Sequence, residues 1–485
     1  MNQRSSIRTA RLWIGGAEQE PAAGRYFEDR RPEDDSVYAM VAEGGAQDVD
    51  RAARSAHQAF QTYGRTTASE REAWLARAAV LLEERRDRFL EVLVEETGVP
   101  IRVCRFMHRL STEMMRAAAG MPRWVQGKTL PTDVPGRMSL SLRAPLGVIA
   151  AIIPFNVPLI KGVRLSANAL ALGNTVVMLP SEEAPLIATM LAELYRDAGL
   201  PAGAFNVVTG FGHQIGDSLT THPLVKMVTF TGSSRVGKHI HKLCADHGKR
   251  VTLELGGKSP LVVLADADLE KAVAAAVHGT FTFQGQACMA SSRIYVERSI
   301  FNRFVERFAA AAGKLALGDL KDAGTAIGPI ISTRQRERVK RHLDDAVSKG
   351  AKVVAGGRWR GNRCEPTILT GVTPEMVVCA EETFGPVTAV YPIDSAEEGL
   401  ARANDSIYGL SSAIFTSNLN SAMQFVHGVK SGMVHVNGSS LHDEPHVPFG
   451  GVGESGQGRE GSEADIEAMT EWKWATIQLP GAAHA

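Results

Sequence analysis

The stretch VKMVTFTGSSRVGKHIHKLCADHG, Val225 to Gly248, decides how the chain is read. An apolar run of strand length ends at Thr231, Gly232 and Ser233, and a run with helical spacing follows at once. The same alternation occurs twice upstream. NTVVMLP (Asn174 to Pro180) precedes APLIATMLAELYRDAG (Ala184 to Gly199), and FNVVTG (Phe205 to Gly210) precedes HQIGDSLTTH (His213 to His222). Downstream comes VTLELGG (Val251 to Gly257). Strands that alternate with helices predict a parallel, doubly wound sheet, since parallel neighbours need a long crossover. A second α/β series starts near Lys258: strand SPLVVL, helix ADLEKAVAAAVHGTF, a loop containing Cys288, strand RIYV and helix SIFNRFVERFAAAAG.

Composition bounds the possibilities. The 485 residues are 44% hydrophobic and 22% charged, enough for two or three domains with substantial cores. Fifty-three basic and 53 acidic residues cancel, so no global field favours nucleic acid or an anionic membrane. The expected partners are a small molecule and further copies of the chain. Five cysteines, at 104, 244, 288, 364 and 379, show neither CxxC nor Cys/His metal spacing. No metal is expected, and the compartment is expected to be the reducing cytoplasm. The most apolar stretch, APLGVIAAIIPF (Ala144 to Phe155), is too short for a membrane span and contains prolines. The N-terminus has arginines but no apolar signal core, so the chain is read as unprocessed and soluble.

The first hundred residues read mainly as helices, over Asp48 to Gly64 and Ala68 to Gly98, with Ser69 as the expected cap of the second. Turn residues around Pro122 to Pro145 suggest a hairpin or extended arm. The tail EADIEAMTEWKWATIQLPG alternates enough to add an edge strand to a neighbour.

Four segments carry chemistry. FTGSSRVG places Gly232 and Gly237 where a strand turns into a helix, a place where free N–H groups and the helix dipole suit a pyrophosphate. Its spacing is GxxxxG rather than GxGxxG, so an ordinary strand-to-helix turn is the alternative. In LELGGKSP, Glu254 ends a strand in apolar surroundings, and burial would raise its carboxyl toward the range of a general base; a solvated loop carboxylate is the alternative. In FQGQACMASS, Cys288 is either a small buried hydrophobe or a nucleophile, and the polar QGQ before it favours a reactive loop. In IIPFNVPLI, Asn156 lies between two prolines, where a rigid turn could aim its amide as an oxyanion donor.

Taken in order, PFNVP, PSEEAP, FTGSSRVG, LELGGKSP, FQGQACMASSR, EETFGPV and VPFGGVGESGQGREG resemble the aldehyde dehydrogenase superfamily along nearly the whole chain. The resemblance implies an α/β fold in three parts: a Rossmann-like NAD-binding domain (1–124 and 144–256), an α/β catalytic domain (257–455), and a β oligomerisation arm and tail (125–143 and 456–485) that builds a homodimer or homotetramer. It implies that Cys288 attacks the aldehyde, that Asn156 and the Cys288 N–H hold the oxyanion, and that Glu254 activates water to release a carboxylic acid from a thioester. NAD is the implied cofactor, with Ile152, Pro154, Phe155, Leu179, Ser181, Glu182, Gly212, Phe230, Gly232, Ser233, Val236, Leu255, Gly256, Glu382 and Phe384 around it.

Two positions depart from the family pattern. Leu179 stands where a lysine commonly meets the adenosine ribose or a 2′-phosphate, which together with Glu182 favours NAD over NADP. Leu165, preceded by Arg164, stands where many members have a relay lysine, leaving the proton route from Glu254 open. The segments PLIKGVRLSANALALGNTVV, QGQACMASSR and NGSSLHDEPHVPFGG are similar to the branch that oxidises benzaldehyde, salicylaldehyde and vanillin. Phe155, in place of a commoner tryptophan, Arg164, Ala287, Met289, Asn437, His442 and Phe449 are the implied substrate residues. An aliphatic aldehyde or semialdehyde with the same mechanism is the alternative.

Overall fold

The computed structural model describes residues 8–480. The extreme N-terminus, with its first arginine, and the last five residues of the expected tail lie outside the described residues.

The alternation read from Val225 builds an eight-stranded sheet. Its parallel centre runs, in space, Arg250–Glu254, Val225–Thr231, Val148–Ile153, Thr175–Pro180 and Phe205–Val207. The central strands are apolar on both faces because helices cover both. Successive residues point to opposite sides: Ile149, Ala151 and Ile153 enter one core, whereas Val148 and Ala150 enter the other. Leu12–Ile14, Ala17–Gln19 and Gly456–Gln457 extend the edges antiparallel.

The order of winding makes a crevice. From Val148–Ile153 the chain adds two strands on one side, then crosses back and lays Val225–Thr231 and Arg250–Glu254 on the other. The loops after Ile153 and Thr231 therefore diverge at a topological switch point, the usual ligand crevice of an open α/β sheet.

A seven-stranded sheet follows, ordered Lys352–Ala355, Thr367–Thr370, Val387–Ile393, Ser291–Glu297, Ser259–Val263, Ser411–Phe415 and Met433–Val436. All its pairings are parallel except the first. The helix Leu269–Phe281 starts where expected, with the Asp268 side chain accepting from the Lys271 N–H at 3.2 Å.

The third sheet joins Lys128–Leu130, Arg137–Pro145 and Thr470–Gln478, all antiparallel. The expected arm is thus a hairpin, and within the tail the strand Thr470–Gln478 pairs along its full length with Arg137–Pro145 of its own chain, after the helix Ser462–Met469. Met138, Leu142, Trp472, Trp474, Ile477 and Leu479 remain exposed on this sheet, Trp474 at 72%.

Several local expectations change. Helices predominate from Ala46 to Thr97 as read, but five short strands precede Ala46 that the reading did not include; Leu12–Ile14 is too short to show a period of its own. The run over 68–98 is two helices, Ala68–Glu84 and Arg86–Thr97, broken at Arg85. Thr67, not Ser69, caps the first of these, accepting from the Glu70 N–H while Glu70 reaches back to the Thr67 N–H at 2.7 Å. Gly456–Gln457, at the head of the expected tail, belongs to the edge of the first sheet. No helix among the described residues is long and apolar enough to cross a membrane.

Candidate active site

Cys288 sits after the Leu269–Phe281 helix, on a loop whose backbone is held in an unusual shape. Phe283, Gln284 and Gly285 have φ of 57°, 54° and 68°, three consecutive left-handed residues. For the two with side chains this conformation costs on the order of 1 kcal/mol each and persists only where the surroundings impose it. The surroundings do so here. Gln284 is fully buried and donates to the Gly98 carbonyl at 2.8 Å, and the Gln286 side chain accepts from the Ile331 N–H at 3.1 Å. Gly285 lies against the Gly385 carbonyl with no room for a side chain. The polar residues flanking Gly285 are therefore struts that aim the loop. Cys288 itself is a free thiol and keeps partial exposure, the opening a substrate needs. The protein around it pushes the thiol up to about 12, so it needs help to become a thiolate.

Glu254 is the last residue of its strand, pinned by the Gly232 N–H donating to its carbonyl at 2.9 Å. Its side chain is buried and neither carboxyl oxygen has a hydrogen-bond partner. Burial first, and the nearby Glu460 carboxylate second, hold it well above the usual carboxylate range; Lys161, Arg459 and Arg164 pull the other way. The solvated-loop alternative for Glu254 does not hold in this structure.

Two glycines bring these groups together. Gly257 lies directly against the Cys288 carbonyl, and its N–H donates to Glu382 Oε1 at 2.9 Å. A Cβ on Gly256 would stand 2.8 Å from Glu382 Oε2. Asn156 follows the Val148–Ile153 strand, is buried, and donates from Nδ2 to the Gln286 carbonyl at 2.9 Å. One amide hydrogen is thereby used to locate the cysteine loop and the other remains to serve a ligand.

The crevice at the switch point carries the residues expected around a dinucleotide. Ser233 caps the Ser234–Asp246 helix, accepting from the Val236 N–H, and is exposed at its N-terminus. Gly237 lets Leu255 pack against that helix where a side chain would collide. Phe384, at φ 55°, meets Phe155 edge to face at 5.8 Å. Ser181, Glu182, Ile152 and Pro154 are half-buried along the same rim, and Gly212 starts the Gly212–Thr221 helix. Phe230 and Leu179 lie inside the apolar layer, so Leu179 offers neither charge nor a polar atom. A helix N-terminus, glycines whose side-chain space is already taken by neighbours, and the Glu382 carboxylate form a donor set that fits a dinucleotide.

The expected substrate-side residues differ in burial and in hydrogen bonding. Ala287 and Met289 flank the cysteine, and Phe449 is buried. Arg164 donates from Nη2 to Asp443 at 2.8 Å and to the Glu444 carbonyl at 3.0 Å, while its buried Nη1 has no hydrogen-bond partner among the described residues. Asn437 is exposed and its amide is used up on the Thr416 backbone, accepting from N–H and donating to C=O at 3.0 Å each. His442 is exposed beside Glu444 and meets His435 edge on. The sequence reading also missed Lys161, which donates to Glu460 Oε2 at 2.6 Å. Leu165 is fully buried in the core, and Lys161 lies one turn before it on the same helix face. That i, i+4 relation was the available signal.

Against known proteins, the Aldehyde dehydrogenase family profile matches residues 19–475. A vanillin dehydrogenase of Pseudomonas fluorescens is 41% identical over 470 residues, 96% of this chain and 97% of that one. A benzaldehyde dehydrogenase of Bacillus subtilis is 38% identical, covering 96% of each chain. The crystal structure of a salicylaldehyde dehydrogenase from Pseudomonas putida G7, complexed with salicylaldehyde, superimposes with a TM-score of 0.95 at 38% identity over 99% of both chains. With its two sheets, its crevice and its cysteine loop accounted for, the chain belongs to the aldehyde dehydrogenase family and is an aldehyde-oxidising enzyme.

Proposed function

We propose that the chain oxidises an aromatic aldehyde to its carboxylic acid with NAD, through a thiohemiacetal and a thioester on Cys288. The observation that carries this reading is the convergence of Cys288, Asn156 and Glu254, from three separate segments, on one recess through the Asn156–Gln286 bond and the Gly257–Cys288 contact.

Each residue has a role that its surroundings allow. The Cys288 thiolate forms a bond to the carbonyl carbon, and the electron pair moves onto oxygen. The free Asn156 N–H and the Cys288 N–H receive that charge, a donor contribution of roughly 3 kcal/mol each where such groups have been removed. The Ser233 helix end, Gly232, Gly256 and Glu382 would hold NAD, which would accept the hydride whose loss from the carbon turns the thiohemiacetal into the thioester. Glu254 then takes a proton from water, the resulting hydroxide adds to the thioester carbon, and the C–S bond breaks to return the thiolate. Leu179 brings no cation for a 2′-phosphate, which supports NAD over NADP. Phe155, Phe384 and Met289 make an apolar wall suited to a ring, and the relatives named for vanillin, benzaldehyde and salicylaldehyde support that choice. The five free thiols are consistent with the reducing cytoplasm expected for the chain. The arm sheet, with Trp472, Trp474 and Ile477 exposed, would pair protomers.

The function is tested by initial rates of NADH formation with benzaldehyde, vanillin and salicylaldehyde against hexanal and succinic semialdehyde. A higher kcat/KM for the ring aldehydes is expected; faster turnover of the others would remove the aromatic assignment while keeping the mechanism.

Cys288→Ala is expected to abolish NADH formation while retaining NAD binding. Glu254→Gln is expected to keep a first-turnover burst of NADH and to slow the steady state by at least about tenfold. Equal loss of burst and steady state would show that Glu254 is not the water-activating base. Since Glu254 acts only when ionised and is held high, the steady-state rate should fall on acidification well above the ordinary glutamate value of about 4.3. An ascending limb at that ordinary value would contradict the burial argument.

Trp474→Lys with Ile477→Lys is expected to reduce the particle mass in light scattering to that of one chain. An unchanged mass would place the interface elsewhere.

A further inference from the structure

Lys161, on the Pro158–Ala171 helix, is 3% exposed, and its ammonium is 2.6 Å from Glu460 Oε2 and 4.7 Å from the centre of the Phe449 ring. Glu460 is fully buried and its Oε1 has no partner. The backbones of Phe449 and Glu460 bond to each other in both directions, at 2.9 and 2.8 Å, so the pair is rigidly placed. The next residue, Gly450, has φ 155° and abuts Glu254: a Cβ there would start 2.6 Å from Glu254 Oε1. An unbroken path of contacts therefore links Lys161 to Glu254 through Glu460, Phe449 and Gly450. A buried ion pair of this kind is weak evidence for stability, since desolvation offsets its attraction. A role in the reaction explains its place better.

Resting on the mechanism above, we propose that Lys161 is the positioning charge of this site, a cation fixed by Glu460 that favours the ionised forms of both Cys288 and Glu254, while Glu460 opposes it at Glu254. The charges around the two groups support this. Facing Glu254 are Glu460, Lys161, Arg459 and Arg164. On the Cys288 side, Asn156, which holds the Gln286 carbonyl at 2.9 Å, stands two residues before the helix whose first turn carries Lys161, and Lys161 favours the thiolate while Glu382 and Glu254 oppose it. Arg164 is held by Asp443 at 2.8 Å, with Glu460 at 4.0 Å. Asp465, pushed up to about 6 by burial and by Glu460, stands behind them and is bonded to Asn168 at 2.6 Å. Lys161 and Arg164 are the buried cations in a group that also holds Glu254, Asp443, Glu460 and Asp465. Acids outnumber these cations, so loss of one cation or one acid should move the ionisation of the others.

The test uses the full-length protein and its Lys161→Met, Lys161→Arg and Glu460→Gln variants with two readouts. The first is the pH dependence of Cys288 alkylation by iodoacetamide, followed by mass spectrometry of the Cys288 peptide without cofactor. The second is the pH dependence of steady-state NADH formation from benzaldehyde. Lys161→Met should move the alkylation midpoint and the Glu254 limb to higher pH by about one unit, slowing alkylation roughly tenfold below the midpoint. Lys161→Arg should restore both. Glu460→Gln should move the Glu254 limb the opposite way, to lower pH. Unshifted profiles, or shifts of the same sign in Lys161→Met and Glu460→Gln, would overturn the proposal. If Lys161→Met fails to fold, Lys161→Gln takes its place in both readouts, and unshifted profiles in that variant overturn the proposal. If no variant or parent oxidises aldehydes, the proposed function fails, and the alkylation profile still judges Lys161.

Discussion

At Gly257 the backbone leaving the first sheet passes so close to the carbonyl of Cys288 that no side chain fits between them. That contact joins the first sheet to the loop that carries Cys288. Glu254 arrives on the last residue of the Arg250–Glu254 strand, and Glu382 is fixed by the Gly257 N–H. Asn156 arrives from the crevice and holds the Gln286 carbonyl, two residues before the nucleophile. A Cβ at Gly257 would separate these groups, and small displacements are costly because reacting atoms must be held near contact distance.

The same closeness creates the electrostatic problem of the site. Enclosure excludes water and strengthens each interaction, but it also penalises the thiolate and the carboxylate that the proposed mechanism uses. Burial pushes the Cys288 thiol and the Glu254 carboxyl in the same direction, toward their neutral forms. The role proposed for Lys161 answers this penalty with a cation that is paired to Glu460, at 2.6 Å, rather than to Cys288 or Glu254. The strained cysteine loop belongs to the same logic: Gln284 and Gln286 spend their amides on backbone so that Cys288 is presented without a hydrogen bond of its own to a neighbouring side chain.

Much of this was legible in the chain. The alternation of VVM, NVV and MVTF runs with helical stretches shows a parallel sheet because each signal is local: a buried strand must be apolar, and a crossover must be helical. Cys288, Glu254 and Asn156 stood out because each sits beside Gly, Pro or Gln residues that make little sense as packing. The short strands before Ala46 were hidden, since three residues carry no period and their pairing is decided by distant partners. Thr67 was passed over for Ser69 because both satisfy the capping pattern, and only the Glu70 contact distinguishes them.

The sequence by itself determined the fold class and marked Cys288, Glu254 and Asn156 as candidates, since strand period, crossover helices and chemically exceptional side chains are properties of short segments. Tertiary structure alone decided that Asn437 and Arg164 are occupied by Thr416 and Asp443, and that Lys161 stands one turn from where a cation was sought. The physical reason is that a polar group's availability depends on which partners reach it through space. Those partners here lie between 21 residues (Thr416 to Asn437) and 299 residues (Lys161 to Glu460) away along the chain.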